Sequence, residues 1–187
     1  MDRLPTIPGR GLRLRELRAS DAAGVRAVFG DPEVLRTMPV RPRTTDAEAL
    51  EMIEGLRGLA ARDELYQWGI ALDPGDEVIG TVTLASIELE HRRAEIGFAL
   101  AREHRGQGHA SAAVQLVLGH AFEAMALHRI EADVDPRNGP SIALLERVGF
   151  RREGLQLQRW LLHGEWQDAL LFGLLAPWWR QLRGRAG

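Results

Sequence analysis

The stretch Glu95 to Ala110, EIGFALAREHRGQGHA, restricts the possible folds of this chain more than any other. A β-rich run, Ala94 to Leu100, leads into a turn holding Gly106 and Gly108, and the turn opens a long apolar helix from about Gly108 to Met125. Such a junction aims several backbone N–H groups at one point, where the helix dipole favours negative charge. It suits a pyrophosphate. The glycines let the backbone approach closely, and Ala110 and Ser111 are small enough to stay clear. The spacing rejects two common phosphate-binding solutions. No G-x-x-x-x-G-K-[ST] occurs, because the chain has no Lys, and no G-x-G-x-x-G follows the first strand. Taken alone, two glycines at a helix start are more often a plain cap, so the remaining chain must decide.

The elements around the loop read β-α-α-β-β-β-α-β-α-β-β. Leu12, Leu14 and Leu17 mark a first strand, and Ser20-Asp21 read as the N-cap of a helix over 21 to 29. Ala49, Met52, Ile53, Leu56 and Leu59 recur near a 3.6 period and predict a second helix over Thr45 to Arg62. Tyr66 to Leu72 and Val78 to Ile87 flank Asp73-Pro74-Gly75-Asp76 and predict an antiparallel hairpin. After the glycine-opened helix come a strand over Arg129 to Val134, a helix over Ser141 to Arg147 closed by Gly149, and two strands, Arg151 to Gln158 and Trp166 to Leu175. The order predicts an α+β fold, three-layered, in one domain over residues 1–187; no repeat or long linker divides it.

Composition removes several chemistries. There is no Cys, hence no disulfide, thiolate ligand or Cys nucleophile, and the absence of Lys removes Schiff-base chemistry. The six His form no H-E-x-x-H pattern or close His/carboxylate group, so no metal is expected. A net charge of -2 provides no general attraction for nucleic acid or an anionic membrane. No run approaches the roughly 18 apolar residues of a bilayer span, and MDRLPTIPGRG lacks a signal pattern, so a cytoplasmic location is expected.

Arg105-Gly106-Gln107-Gly108-His109-Ala110 resembles the R/Q-x-x-G-x-G/A pyrophosphate loop of the GCN5-related N-acetyltransferases, the GNAT family. The resemblance continues through Asn138-Gly139-Pro140-Ser141 and Glu146-Arg147-Val148-Gly149-Phe150-Arg151-Arg152-Glu153-Gly154. These are similar to the N-x-x-S and E-x-x-G-F-x-x-E-G runs of the RimJ/RimL branch, as Gly164-Glu165-Trp166-Gln167-Asp168 is to its G-x-W-x-D run. The resemblance implies a mixed, mostly antiparallel sheet of about seven strands with about four helices, splayed at a central parallel pair. It implies acetyl-CoA with its pantetheine arm on the backbone of Phe98, Ala99 and Leu100. The pyrophosphate would lie on the amides of Arg105, Gly106, Gln107, Gly108, His109 and Ala110, with Ser111 beside them, and Asn138 near the pantetheine. The implied activity is transfer of acetyl to a primary amine, a protein N-terminus or a small molecule, by a monomer or homodimer.

Attack of an amine on a thioester needs a neutral amine, a polarised carbonyl and a route for the proton. Strand alternation places Glu95 on the face of Gly97 and Ala99, where a carboxylate can meet an open cleft and act as base; otherwise it is a solvated residue or a partner of Arg93. Asp133, on the strand across the gap, is the second carboxylate. Relatives often carry a Tyr acid where Leu145 stands, and the only Tyr, Tyr66, is far upstream. Ser141 is then the hydroxyl nearest the CoA sulfur by the resemblance, or simply a helix-cap residue after Pro140. Asp168 is expected to tie one strand to its neighbour. Trp68, Trp160 and Trp166 either line the acceptor cleft or belong to the core, and Trp178-Trp179 cover the sheet or a dimer contact. Two alternatives stay open: a CoA-binding sensor without turnover, and another acyl donor such as succinyl-CoA, whose extra carboxylate would need Arg92 or Arg93. Glu88 and Glu90 hint at a cationic acceptor.

Overall fold

The computed structural model describes residues 4–185. In chain order the elements are β1 (Ile7–Pro8), β2 (Leu12–Glu16), α1 (Ala22–Phe29), α2 (Pro32–Leu35), α3 (Asp46–Ala61), β3 (Leu65–Leu72), β4 (Val78–Glu88), β5 (Arg93–Leu100), α4 (His109–Gly119), β6 (Arg129–Val134), α5 (Gly139–Arg147), β7 (Arg151–Leu162), β8 (Glu165–Leu175) and α6 (Ala176–Arg185). One eight-stranded sheet runs β1-β2-β3-β4-β5-β6-β8-β7, with every neighbouring pair antiparallel except β5 and β6. The expected seven strands and four helices become eight and six. The additions are the two-residue β1, the single turn α2 and the C-terminal α6, which starts on Ala176-Pro177 where Pro suits a first turn.

Two apolar layers cover the sheet. On one face α4 buries Ala113, Val114, Val117 and Leu118 against Ile96, Leu100, Ile130 and Ala132, with Trp179 of α6 closing the layer. On the other, Val25, Val28 and Phe29 of α1 and Ala49 and Ile53 of α3 pack on Ala71, Val78 and Ala99. Each large side chain sealed in this way contributes about 1.5 to 3 kcal/mol relative to exposure. The alternation of β5 therefore holds: Ile96, Phe98 and Leu100 belong to the α4 side, and Ala99 to the α1/α3 side.

Local signals explain the boundaries. Thr45 and Glu48 form a reciprocal capping box at the start of α3. Gly149 has φ 105, and the Phe150 amide donates to Leu145 O, which stops α5. After Gly119 the α4 helix loosens into a π-type turn over His120–Ala124, where Met125 N–H reaches back five residues to His120 O at 3.0 Å. Asp21 departs from its expected role. Instead of capping α1, its buried carboxylate takes two bonds from Arg15, at 2.7 and 2.9 Å, and one from the Arg18 amide.

Candidate active site

The parallel pair β5/β6 holds for only three residue pairs, Arg93 with Arg129, Ala94 with Ile130 and Glu95 with Glu131, after which the strands part. Which groups face the opening follows from hydrogen-bond phase. Ala101 N–H donates to Ile79 O across β4, and Arg129 N–H donates to Arg92 O across β6. By alternation the backbones of Gly97 and Ala99 are bonded to β4, while those of Phe98 and Leu100 point into the gap. Of the three positions expected to bond a pantetheine, Ala99 is therefore committed to the sheet. Leu100 O already accepts from Arg105 Nε at 3.3 Å, leaving the Leu100 N–H and both groups of Phe98.

Past the gap the chain enters the glycine turn. Gly106 has φ 75, and Gly108, the N-cap of α4, has φ 84. These left-handed values favour glycine, and a Cβ on either residue would meet no protein atom within 4 Å. The Arg105 amide, expected in the cradle, already donates to Arg102 O at 3.3 Å, while among the described residues the amides of Gly106, Gln107, Gly108, His109, Ala110 and Ser111 have no backbone acceptor. Gln107 turns its side chain back onto Glu103 O, so it does not cover the cradle. Six free donors on a helix start, with open space in front of them, fit a pyrophosphate.

Beside the gap on the α1/α3 side, a row of alternating charges crosses the sheet. Arg93 binds Glu88 and Glu131, while Arg129 binds Glu131 and Glu153. Arg93 is thus occupied elsewhere, and Glu95 has no hydrogen-bond or ion-pair partner among the described residues. Burial pushes the Glu95 carboxyl up from its ordinary range, and the charges of Asp133 and Glu131 push it further. Asp133 is raised as well, by burial, although Trp160 Nε1 donates to its Oδ2 at 3.1 Å and Arg159 Nε stands 3.8 Å away, both opposing the rise. Two partly desolvated carboxylates on adjoining strands have the chemistry expected of a proton acceptor.

At the open end, Asn138 caps α5, its Oδ1 accepting from Ser141 N–H at 3.2 Å, and its Nδ2 donates to Thr37 Oγ1 at 3.3 Å. The Ser141 hydroxyl has no partner among the described residues, while Leu145 is fully buried in the core. Three tethers hold the α2 segment over this end: Asn138 to Thr37, Arg102 to Asp31 at 3.1 Å, and the His163 ring against Leu35 O at 3.3 Å. Neither α2 nor Thr37 was foreseen, although Asp31-Pro32 is a legible N-cap and first-turn signal. Of the tryptophans, Trp68 is core, with Nε1 on Pro5 O, Trp166 is exposed, and only Trp160 meets a candidate catalytic group. Trp179 is buried against Phe122, and Trp178 lies under Arg151. Arg92 donates to Ala126 O. Arg93 is paired with Glu88 and Glu131, so its charge is not free for the extra carboxylate of a succinyl group, whereas Arg92 is held, among the described residues, only by a neutral carbonyl; Glu88 shares Arg93 with Glu131.

A family model described as an acetyltransferase (GNAT) domain matches residues 11–151. The chain belongs to the GNAT acetyltransferase family. An uncharacterized N-acetyltransferase, p20, of Bacillus licheniformis is 37% identical over 172 residues, 92% of this chain and 97% of that protein. The spermidine N(1)-acetyltransferase of Vibrio cholerae is 30% identical over 65% of this chain and 70% of its own length. Among solved structures, Mycobacterium smegmatis RimJ in complex with CoA-disulfide superposes with a TM-score of 0.82 at 33% identity, covering 93% of this chain and 87% of that one. The GNAT fold is the eight-stranded sheet described above, and the chain is an acyltransferase. Among the described residues no helix is long and apolar enough to cross a membrane, and no group of three His, Asp or Glu could hold a metal ion.

Proposed function

We propose that this GNAT acetyltransferase uses acetyl-CoA to acetylate a primary amine, in the manner of the RimJ/RimL branch or of a small-molecule acetyltransferase. The observation that carries the reading is the continuity of the strand gap with the glycine turn. The unpaired backbone of Phe98 precedes, by a few residues, six free amides in the glycine turn and the first turn of α4. Phe98 and Leu100 N–H hold the arm of the donor, and the amides of residues 106–111 hold its pyrophosphate. Acetyl-CoA supplies the thioester carbonyl and a thiolate leaving group. The Phe98 N–H is placed to polarise that carbonyl; one such donor is worth about 3 to 4 kcal/mol of barrier.

Glu95 receives the amine proton, directly or through a water. Its lack of an ion-pair partner and its elevated pKa match a base that must act near neutral pH. The amine nitrogen forms its bond to the acetyl carbon as the carbon–sulfur bond breaks, and the Ser141 hydroxyl is free to hydrogen-bond the departing sulfur. Support for an amine acceptor comes from relatives named for spermidine, and support for CoA as the donor's carrier comes from the RimJ structure in complex with CoA-disulfide. The test is release of free thiol from acetyl-CoA in the presence of N-terminal peptides, polyamines and aminoglycosides. Turnover on at least one amine is expected. Calorimetric CoA binding without turnover on any of them would instead identify a sensor.

A further inference from the structure

The strand β7 carries an irregularity that an edge strand serving only to close a sheet does not need. Its pairing with β8 passes from Gln156↔Ala169 to Trp160↔Gln167, four steps on one strand against two on the other. The slack is pinned. Gln158 takes φ 51, and its N–H donates to Asp168 Oδ1 at 2.8 Å. Bulges of this kind re-aim side chains beside active sites. Here the result is that Trp160 is half-buried between exposed Arg159 and Leu161, and its indole N–H reaches across β8 to Asp133 on β6.

We infer that Trp160, with the Asp168-pinned bulge that aims it, is a positioning residue that holds the Asp133 carboxylate beside Glu95 for proton transfer. This rests on Glu95 being the base. The charged groups around the pair are Asp133 and Glu131 from β6, Arg159 from β7 and Arg93 from β5 itself, and Asp133 faces Trp160 and Arg159. The indole bond favours the ionised form of Asp133 against the pull of burial. An ionised Asp133 in turn makes Glu95 the stronger base. The active form therefore has both carboxylates ionised, and the two titrate as a pair.

The experiment is a pH profile of kcat and kcat/KM for Trp160→Phe, Asp133→Asn and the double variant, with melting temperature as a check on folding. Trp160→Phe keeps the ring and loses the donor. It should lower kcat about tenfold, leave the KM for acetyl-CoA unchanged, and move the acidic limb to higher pH. Asp133→Asn should move that limb to lower pH, because Glu95 loses a neighbouring charge. In the Asp133→Asn background, Trp160→Phe should have no further effect. Asp168→Ala should reproduce Trp160→Phe, and Asp168→Asn, which keeps an acceptor for the Gln158 amide, should restore the wild-type profile. Additive effects of the two substitutions, or a change confined to the KM of the amine, would overturn the positioning role while leaving Glu95 as base. An acidic limb that survives unchanged in Glu95→Gln would overturn both.

Discussion

Replacing Gly108 by Val tests the phosphate cradle with a worked magnitude. At φ 84 and ψ -6, a side chain at this position occupies the left-handed region, which costs about 1 to 2 kcal/mol of folding stability. No protein atom lies within 4 Å of the added Cβ, so the fold meets no clash. The new atoms fill the space that a phosphate must enter to meet the free amides. Hydrogen bonds to a charged group are worth about 1.5 to 3 kcal/mol each, so losing two of them corresponds to a fall in affinity of roughly 10² to 10⁴-fold.

A matched control exists in the same chain. Gly11 has φ 76 and equally open space, but lies in the β1–β2 turn outside the cradle. Gly11→Val should show a comparable loss of melting temperature with unchanged CoA affinity. Calorimetric titration of CoA into both variants, with thermal melts in parallel, separates strain from lost binding. Gly108→Val binding CoA like the wild type, or Gly11→Val losing affinity equally, would refute the assignment.

Glu95→Gln should lower kcat by about 10² to 10⁴-fold and leave CoA affinity within about twofold, read from steady-state kinetics and calorimetry. The same substitution should raise the melting temperature at neutral pH by about 1 to 3 °C. A carboxyl whose folded pKa lies above its unfolded value binds its proton more tightly when folded, so its ionisation on raising the pH costs stability that an amide does not lose. For wild type the acidic limb of kcat/KM should lie above the ordinary Glu range, activity falling as pH drops through it. Ser141→Ala should reduce kcat by no more than about tenfold, since a CoA thiolate leaves readily and the Ser141 amide still caps onto Asn138. Asp21→Asn should cost about 3 to 5 kcal/mol in a urea melt, because it leaves the buried Arg15 guanidinium short of its main counter-charge.

Most of the sheet was legible because each strand carries its own period and its own turn. In Arg93 to Leu100 the apolar Ala94, Ile96, Phe98 and Leu100 recur at every second position. Val78 to Glu88 is a β-rich run buried on both faces over its first five residues, and Asp73-Pro74-Gly75-Asp76 cannot continue a strand. What escaped was structure fixed by distant partners. The single turn α2 is too short to show a period, and it is held by Arg102, Asn138 and His163 from three other parts of the chain. Asp21 is a good cap residue by type, yet Arg15 is placed by pairing of β2 with β3 to claim its carboxylate. Local propensity loses there because a buried guanidinium without an anion would cost several kcal/mol.

The site divides along the same line. Gly106 and Gly108 announce the proposed cradle because glycine adopts their backbone angles without strain, and that preference is written at the residue itself. The opening beside them is not written anywhere locally. It exists because β5 and β6 pair for three residues and then leave the Phe98 backbone without a ladder, a property of two strands some 35 positions apart. The proposed base is one step further removed. Glu95 could have been neutralised by Arg93, and the structure gives that arginine to Glu88 and Glu131 instead. A carboxylate left unpaired beside a second one, while every neighbouring Glu is matched to Arg, is costly to stability and useful to proton transfer. If that cost is functional, Glu95→Gln must gain stability and lose turnover together.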